Sequence, residues 1–391
     1  MEYRLIEPRE ETAIKKLWSY CFEPEGHPFF EWYFGKYYKP ENVLAGVKDG
    51  HLLCCLHLNP YKIFLRGQVF ATSYIVGVAT APEARSQKSI GGLLAESLVE
   101  MRRRGQWVVL LMPFKGIFYY PYDFEFCYHS LLYDVDLADL RFAASGDGVF
   151  KAVTEENICF LQPVYEAYTK DLHGYPVRQA ASWRQLYEEH QTDQGHAYLL
   201  FEADEAAGYI FYMLKEDKVV VKEMAYRSET AKQALLRFCY NHRSQVSRLY
   251  WLAPIDDGTL FSLPDPKVGV SIYPFMTARI VDVVKALSEV SYPSVATGRI
   301  VFAVNDPLST WNHGTFALTV QEGRGQVVKL TDEMIGEAEC RFTSGTLAQL
   351  LFGRVSASQL YKMGKITAPL AALALLDQFF PACTNYINEY Y

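Results

Sequence analysis

Tyr74-Ile75-Val76-Gly77-Val78-Ala79-Thr80 is a run of β-branched and small apolar residues, and the reading of the chain turns on it. It has the composition of a short buried strand. A polar run with two cations, Ala81 to Ser89, follows. From Ile90 to Met101 the apolar residues fall at 90, 93, 94, 98 and 101, a helical stripe. Arg102, Arg103 and Arg104 suit the negative end of that helix, and Gly105 stops it. Trp107-Val108-Val109-Leu110-Leu111-Met112 reads as a second strand, apolar on both faces. Phe118-Tyr119-Tyr120-Pro121-Tyr122-Asp123-Phe124 closes the unit, which runs to Ser130.

A strand that enters a helix through a tight loop aims free backbone N–H groups at one point, and the helix dipole favours negative charge there. Arg85 and Lys88 add fixed cations, so a pyrophosphate suits the loop. Tyr119 stands after the next strand. A thiol of pKa ~8.5 leaves more easily when a positioned phenol protonates it. An ordinary β-α-β crossover with a solvated basic loop has the same pattern.

The stretch resembles the acetyl-CoA motif of the GNAT superfamily of N-acetyltransferases. Their Arg/Gln-x-x-Gly-x-Gly/Ala loop corresponds to Arg85-Ser86-Gln87-Lys88-Ser89-Ile90. Their Tyr-x-x-x-Gly-Phe/Tyr run corresponds to Tyr119-Tyr120-Pro121-Tyr122-Asp123-Phe124. Lys88 and Asp123 stand where the family has glycine. Aspartate tolerates a left-handed backbone, so Asp123 is the milder departure. Lys88 puts a side chain where backbone would approach phosphate.

At 391 residues, half of them hydrophobic, the chain is expected to form two or three domains. Aromatics reach 15%, enough to line a cleft or an interface. The net charge of −7 argues against nonspecific nucleic-acid binding and suits a cationic amine substrate. Eight cysteines without a C-x-x-C pair read as reduced, buried thiols of a cytoplasmic protein, and no metal site is expected. The charged opening Met1-Glu2-Tyr3-Arg4 predicts no leader, and no apolar run reaches membrane-spanning length.

Outward from the central stretch, residues 11–22 read as a helix with Ile14, Leu17, Trp18, Cys21 and Phe22 on one face. Strands are expected at Val43–Val47, Leu52–Leu58 and Tyr61–Phe70, with turns at Asp49-Gly50 and Arg66-Gly67. Glu23, Glu25 and Glu31 are either a solvated loop or the wall of an amine pocket. Residues 141–148 read as a linker. Beyond them the order of the first unit returns: helices over 157–172 and 181–190, strands at 197–202, 208–214 and 219–224, a helix over 229–244, and a strand at 249–253. Ala225-Tyr226-Arg227-Ser228-Glu229 lacks a phosphate loop, so this copy is expected to be scaffold. An amphipathic helix is expected over Ala278–Leu287. Strands at 300–304, 315–320, 326–330 and 340–342 and helices over 344–352 and 369–379 complete the chain.

This order resembles the enhanced intracellular survival (Eis) acetyltransferases. Supporting runs are Ala79-Thr80-Ala81-Pro82-Glu83, Met276-Thr277-Ala278-Arg279-Ile280-Val281-Asp282, Asp306 with Trp311-Asn312-His313-Gly314, and the aromatic terminus Tyr386 to Tyr391. The resemblance implies an α/β chain of tandem GNAT domains and a sterol-carrier-like domain. The expected spans are 1–150 for an acetyl-CoA-binding domain, 151–288 for a second domain without the cofactor loop, and 289–391 for the third. It implies Tyr119 as general acid and the terminal carboxylate of Tyr391 as general base. It places Val78, Ala79, Thr80, Arg85, Ser86, Lys88, Ser89, Phe114 and Phe118 at the cofactor. It further implies aminoglycoside-like or lysine-type amine substrates and a homo-oligomer, trimeric or hexameric. A noncatalytic protein of the same fold, holding an apolar ligand or a partner, is the competing expectation.

Overall fold

The structure is a computed structural model, and it describes residues 1–85, 89–144, 148–331 and 338–389. Its first half contains β1 (Glu2–Leu5), α1 (Glu11–Cys21), α2 (Pro28–Trp32), β2 (Val43–Lys48), β3 (His51–Leu65), β4 (Gln68–Thr80), α3 (Ser89–Arg103), β5 (Val108–Leu111) and β6 (Glu125–Asp136). Helix α1 buries Ile14, Leu17 and Trp18, three members of the expected face. The hairpin turns fall at Asp49-Gly50 and Arg66-Gly67, all four residues at positive φ, the mirror-image turn that matches strand twist.

The strands expected at Leu52–Leu58 and Tyr61–Phe70 are corrected by the structure. Strand β3 runs unbroken through Asn59-Pro60 and ends at Leu65, and β4 begins at Gln68. Proline is tolerated there because β2 pairs with β3 only as far as His57. Beyond that point one side of β3 has no β2 partner to receive an N–H.

The second half repeats the order with β7 (Val149–Ala152), α4 (Leu161–Thr169), α5 (Ala180–Thr192), β8 (His196–Glu202), β9 (Glu205–Lys215), β10 (Lys218–Tyr226), α6 (Glu229–Tyr240), β11 (Arg248–Pro254) and β12 (Val270–Ile280). The halves exchange strands. Among the described residues, twelve strands form one sheet in the order β1-β2-β3-β4-β5-β12-β6-β11-β10-β9-β8-β7. Strand β12 lies between β5 and β6, and β6 pairs on its other side with β11 of the second half.

The helix expected over Ala278–Leu287 is therefore corrected. Residues to Ile280 are strand, and helix α7 spans Val283–Glu289 behind the N-cap Asp282. From Phe275 to Ile280 every residue of β12 is buried, so the period-2 alternation that marks a strand is lost.

The third unit holds β13 (Gly298–Asn305), β14 (Gly314–Gln321), β15 (Arg324–Lys329), β16 (Cys340–Thr343), α8 (Ser344–Phe352), α9 (Ala357–Lys362) and α10 (Leu370–Phe379). Its strands form a separate sheet, β15-β14-β13-β16. Helix α9 was not expected from sequence. All eight cysteines are free, and five are buried; Cys159 is exposed, contrary to expectation. Among the described residues no helix is long and apolar enough to cross a membrane.

Candidate active site

Strands β4 and β5 run parallel over Ser73–Ile75 and Val109–Leu111. Strand β5 then ends, whereas β4 continues to Thr80. One side of Val76–Thr80 is thus left without a strand partner. A bulge bends β4 at this point, because Cys55 pairs with Ala79 and His57 with Val76. Leu56 alone therefore faces Gly77 and Val78. Gly77 has φ +58, and a Cβ there would lie 2.4 Å from the Trp18 ring, so glycine is required twice over.

The gap is a cleft of about 660 Å³. Of the residues expected at the cofactor, it is lined by Val78, Thr80, Arg85, Ser89, Phe114 and Phe118, together with the expected acid Tyr119. Ala79 is buried in the core and does not line it. Ser86 and Lys88 lie outside the described residues. Arg85 stands at the mouth, its guanidinium 5.7 Å from the Tyr20 ring centre. Phe114 is 88% exposed and Phe118 55%, so both form an apolar rim.

Cys21, Phe22, Ala84, Ile90 and Tyr122 also line the cleft and were not foreseen there. The helical stripe of α1 assigned Cys21 and Phe22 to the core. The usable signal is that they end a helix immediately before a Pro/Gly-containing break. Gly91 seats Tyr122 on the first turn of α3; a Cβ would stand 3.0 Å from its ring. Glu23 accepts from Trp18 Nε1 at 3.1 Å and Glu31 from the Gly26 N–H at 2.9 Å, so these carboxylates shape their own loop.

Tyr119 opens a tight turn. The N–H groups of Tyr122 and Phe124 donate to its carbonyl, and that of Asp123 to Tyr120. Asp123 adopts φ 61, ψ 27, the left-handed conformation expected of the glycine it replaces. The Tyr119 ring is partly buried beside Phe124. Burial pushes its phenol up to about 12, so it stays protonated at neutral pH, as a general acid requires.

The far end of the chain returns to the first half. Residues Asn385 to Glu389 are all buried. Asn385 donates to the carbonyls of Cys127 and Phe352, and Asn388 to that of Lys222. His173 accepts the Arg66 N–H at Nε2, which leaves Nδ1–H to donate to Asn385 Oδ1 at 2.7 Å. Glu389 meets Arg178 at 2.9 Å and the Tyr61 hydroxyl at 3.3 Å. Arg178 also forks onto Glu223. Burial opposes its charge, and the two carboxylates more than offset that. Tyr391 lies outside the described residues.

The second half parts its strands in the same way, since β10 pairs with β11 only from Lys218 to Val221. Its opening is differently furnished. Asp257 is buried there in a 2.6 Å pair with Lys232 of α6. The tail residue Tyr386 packs on Tyr168, which packs in turn on Tyr226. This buried ion pair stands beside the first turn of α6, and a cleft of about 370 Å³ remains there, lined by Tyr168, Tyr226, Lys232 and Asp257 among others.

Acetyltransferase (GNAT) domain models match residues 2–127 and 174–280, and a sterol carrier protein domain model matches 283–388. A GCN5-related N-acetyltransferase from Anabaena variabilis superposes with a TM-score of 0.85 at 22% identity, covering 100% of both chains. A probable N-acyltransferase from Enterococcus faecalis gives 0.88 at 21%, covering 100% of this chain and 99% of the other. Eis1 from Mycobacterium abscessus gives 0.76 at 17%, with both chains covered completely. No curated protein matches the sequence significantly. Since the two acetyltransferase matches together take in more than half of the chain, it belongs to the GNAT acyltransferases, as a tandem pair of GNAT domains followed by a sterol-carrier-type domain.

Proposed function

We propose that the protein transfers acetyl from acetyl-CoA to primary amines of the aminoglycoside-like or lysine-type class. GNAT domains take an acyl-CoA cosubstrate, and the choice of acetyl is part of this proposal. The observation that carries it is the cleft where β4 and β5 part, with Tyr119 in its wall and the first turn of α3 at its edge. The site fits the cosubstrate on three counts. Its volume suits a pantetheine arm, Arg85 stands at the mouth for phosphate, and an unpaired strand edge runs along one side.

In this mechanism the amine nitrogen attacks the thioester carbonyl, and the carbon–sulfur bond breaks. The Tyr391 carboxylate takes the proton from the amine, and Tyr119 gives its proton to the departing sulfur. The backbone of Val78 and Thr80 would face the thioester. A second cleft of about 380 Å³, lined by Tyr37, Tyr61, Glu189 and Glu389 among others, opens between the halves.

Replacing Arg85 by alanine tests the cosubstrate assignment. Arg85 is exposed, so the fold should keep its Tm. The Kd for acetyl-CoA, measured by calorimetry, should rise several-fold, because a charge-assisted phosphate contact is lost. An unchanged Kd would remove the cosubstrate from this loop.

A further inference from the structure

Two of the sequence runs that carried the Eis resemblance meet in the fold, and their meeting point is the tyrosine turn. Arg279 of β12 is fully buried, and so is Asp306, at the end of β13. Arg279 Nη2 donates to Asp306 Oδ1 at 2.7 Å, Nη1 to the Ile280 carbonyl at 3.2 Å, and Nε to the Tyr122 carbonyl at 2.7 Å. Asp306 Oδ1 also accepts the N–H groups of Leu308 and Ser309. Its Oδ2 accepts from Asn312 Nδ2, whose amide further bonds Val281 and Val283.

The other flank of the turn is held by the start of α8. Ser344 Oγ lies 3.4 Å from Asp123 Oδ2. A Cβ on Gly345 would fall 2.6 Å from the Asp123 carbonyl oxygen, so only glycine lets the helix approach this closely. The turn that begins with Tyr119 is thus gripped by β12 on one side and by the third unit on the other.

A buried ion pair is weak evidence for stability, because apolar residues of the same volume serve as well or better. Its use here is geometric. A planar guanidinium spans three fixed acceptors, and one of them is the backbone of the tyrosine turn. We propose that Arg279 and Asp306 are positioning residues for Tyr119, through which the sterol-carrier-type domain becomes part of the acetyltransferase site. The inference rests on Tyr119 being the acid.

A double-mutant cycle on the full chain tests it. CoA release from acetyl-CoA is followed with kanamycin as acceptor. Arg279→Lys keeps the charge but cannot reach all three acceptors. Gly345→Ala pushes the turn from its opposite flank without touching the ion pair. Each should lower kcat, by about 10²-fold if the phenol moves ~1 Å. Neither should change the Kd for acetyl-CoA. In a Tyr119→Phe background both should cost nothing further, because the group they position is gone. Should Arg279→Lys fail to fold, Gly345→Ala carries the test. Equal losses with and without Tyr119, or no loss in the folded single variants, would overturn the positioning role and leave the acid assignment intact. A Tyr119→Phe parent with undiminished kcat would instead overturn the acid assignment, and the positioning role with it.

Discussion

Tyr119→Phe is expected to lower kcat by ~10²–10⁴-fold, the usual worth of a general acid, while acetyl-CoA binds as before. In the proposed mechanism the hydroxyl acts only as sulfur departs, so its loss should fall on the transition state and not on ground-state binding. Burial holds the phenol near 12, so Tyr119 stays protonated throughout the neutral range. The pH profile should therefore show no alkaline loss from Tyr119 until that region is approached. Tyr120 is the control. It is 46% exposed and does not line the cleft, and Tyr120→Phe should keep the parental kcat. Equal activity of both variants and the parent would end the tyrosine proposal.

Removal of Tyr390 and Tyr391 should have an effect of the same order at pH 7. The tail is anchored up to Glu389 by Asn385, Asn388 and the Arg178 pair, so the shortened chain keeps its hold on the fold. Glu389 touches Tyr61, which stands opposite Thr72, three residues before the point where β4 leaves β5. In the proposed mechanism truncation should withdraw the carboxylate by up to ~7 Å, beyond hydrogen-bond reach of the amine. Turnover should recover in part as pH rises toward the amine pKa of ~10, because the amine then loses its proton unaided. Parental rates at pH 7 from the truncated protein would show that the terminus is only a tail.

The features legible in the sequence are those with local causes. The strand ending at Thr80 and the helix from Ser89 were legible from spacing and from Gly105, which takes φ +73 at the helix end. Asp123 was expected to accept a left-handed backbone, and it does. The strand exchange was not legible, because β12 finds its partners far away in sequence and its two-sided burial erases the alternation. Pro60 misled for a related reason, since its cost depends on where β2 stops. Arg279 and Asp306 were noted only as parts of a resemblance. Their task is set by a contact between units that no local pattern encodes. Cys21 and Phe22 were expected on a core-facing helical stripe, but α1 ends at Cys21, and the parting of β4 from β5 leaves both on a cleft wall.

We propose that the first cleft performs acyl transfer to nitrogen. Its most direct test is thiol release from acetyl-CoA by the full-length protein against a panel of primary amines, with mass analysis of each acceptor. CoA should be released in equal amount to acetyl gained on an amine nitrogen, and this release should be lost in Tyr119→Phe. Acetyl-CoA that stabilises the fold without any amine-dependent release across the panel would contradict it, and would leave a noncatalytic binding protein on an acyltransferase fold.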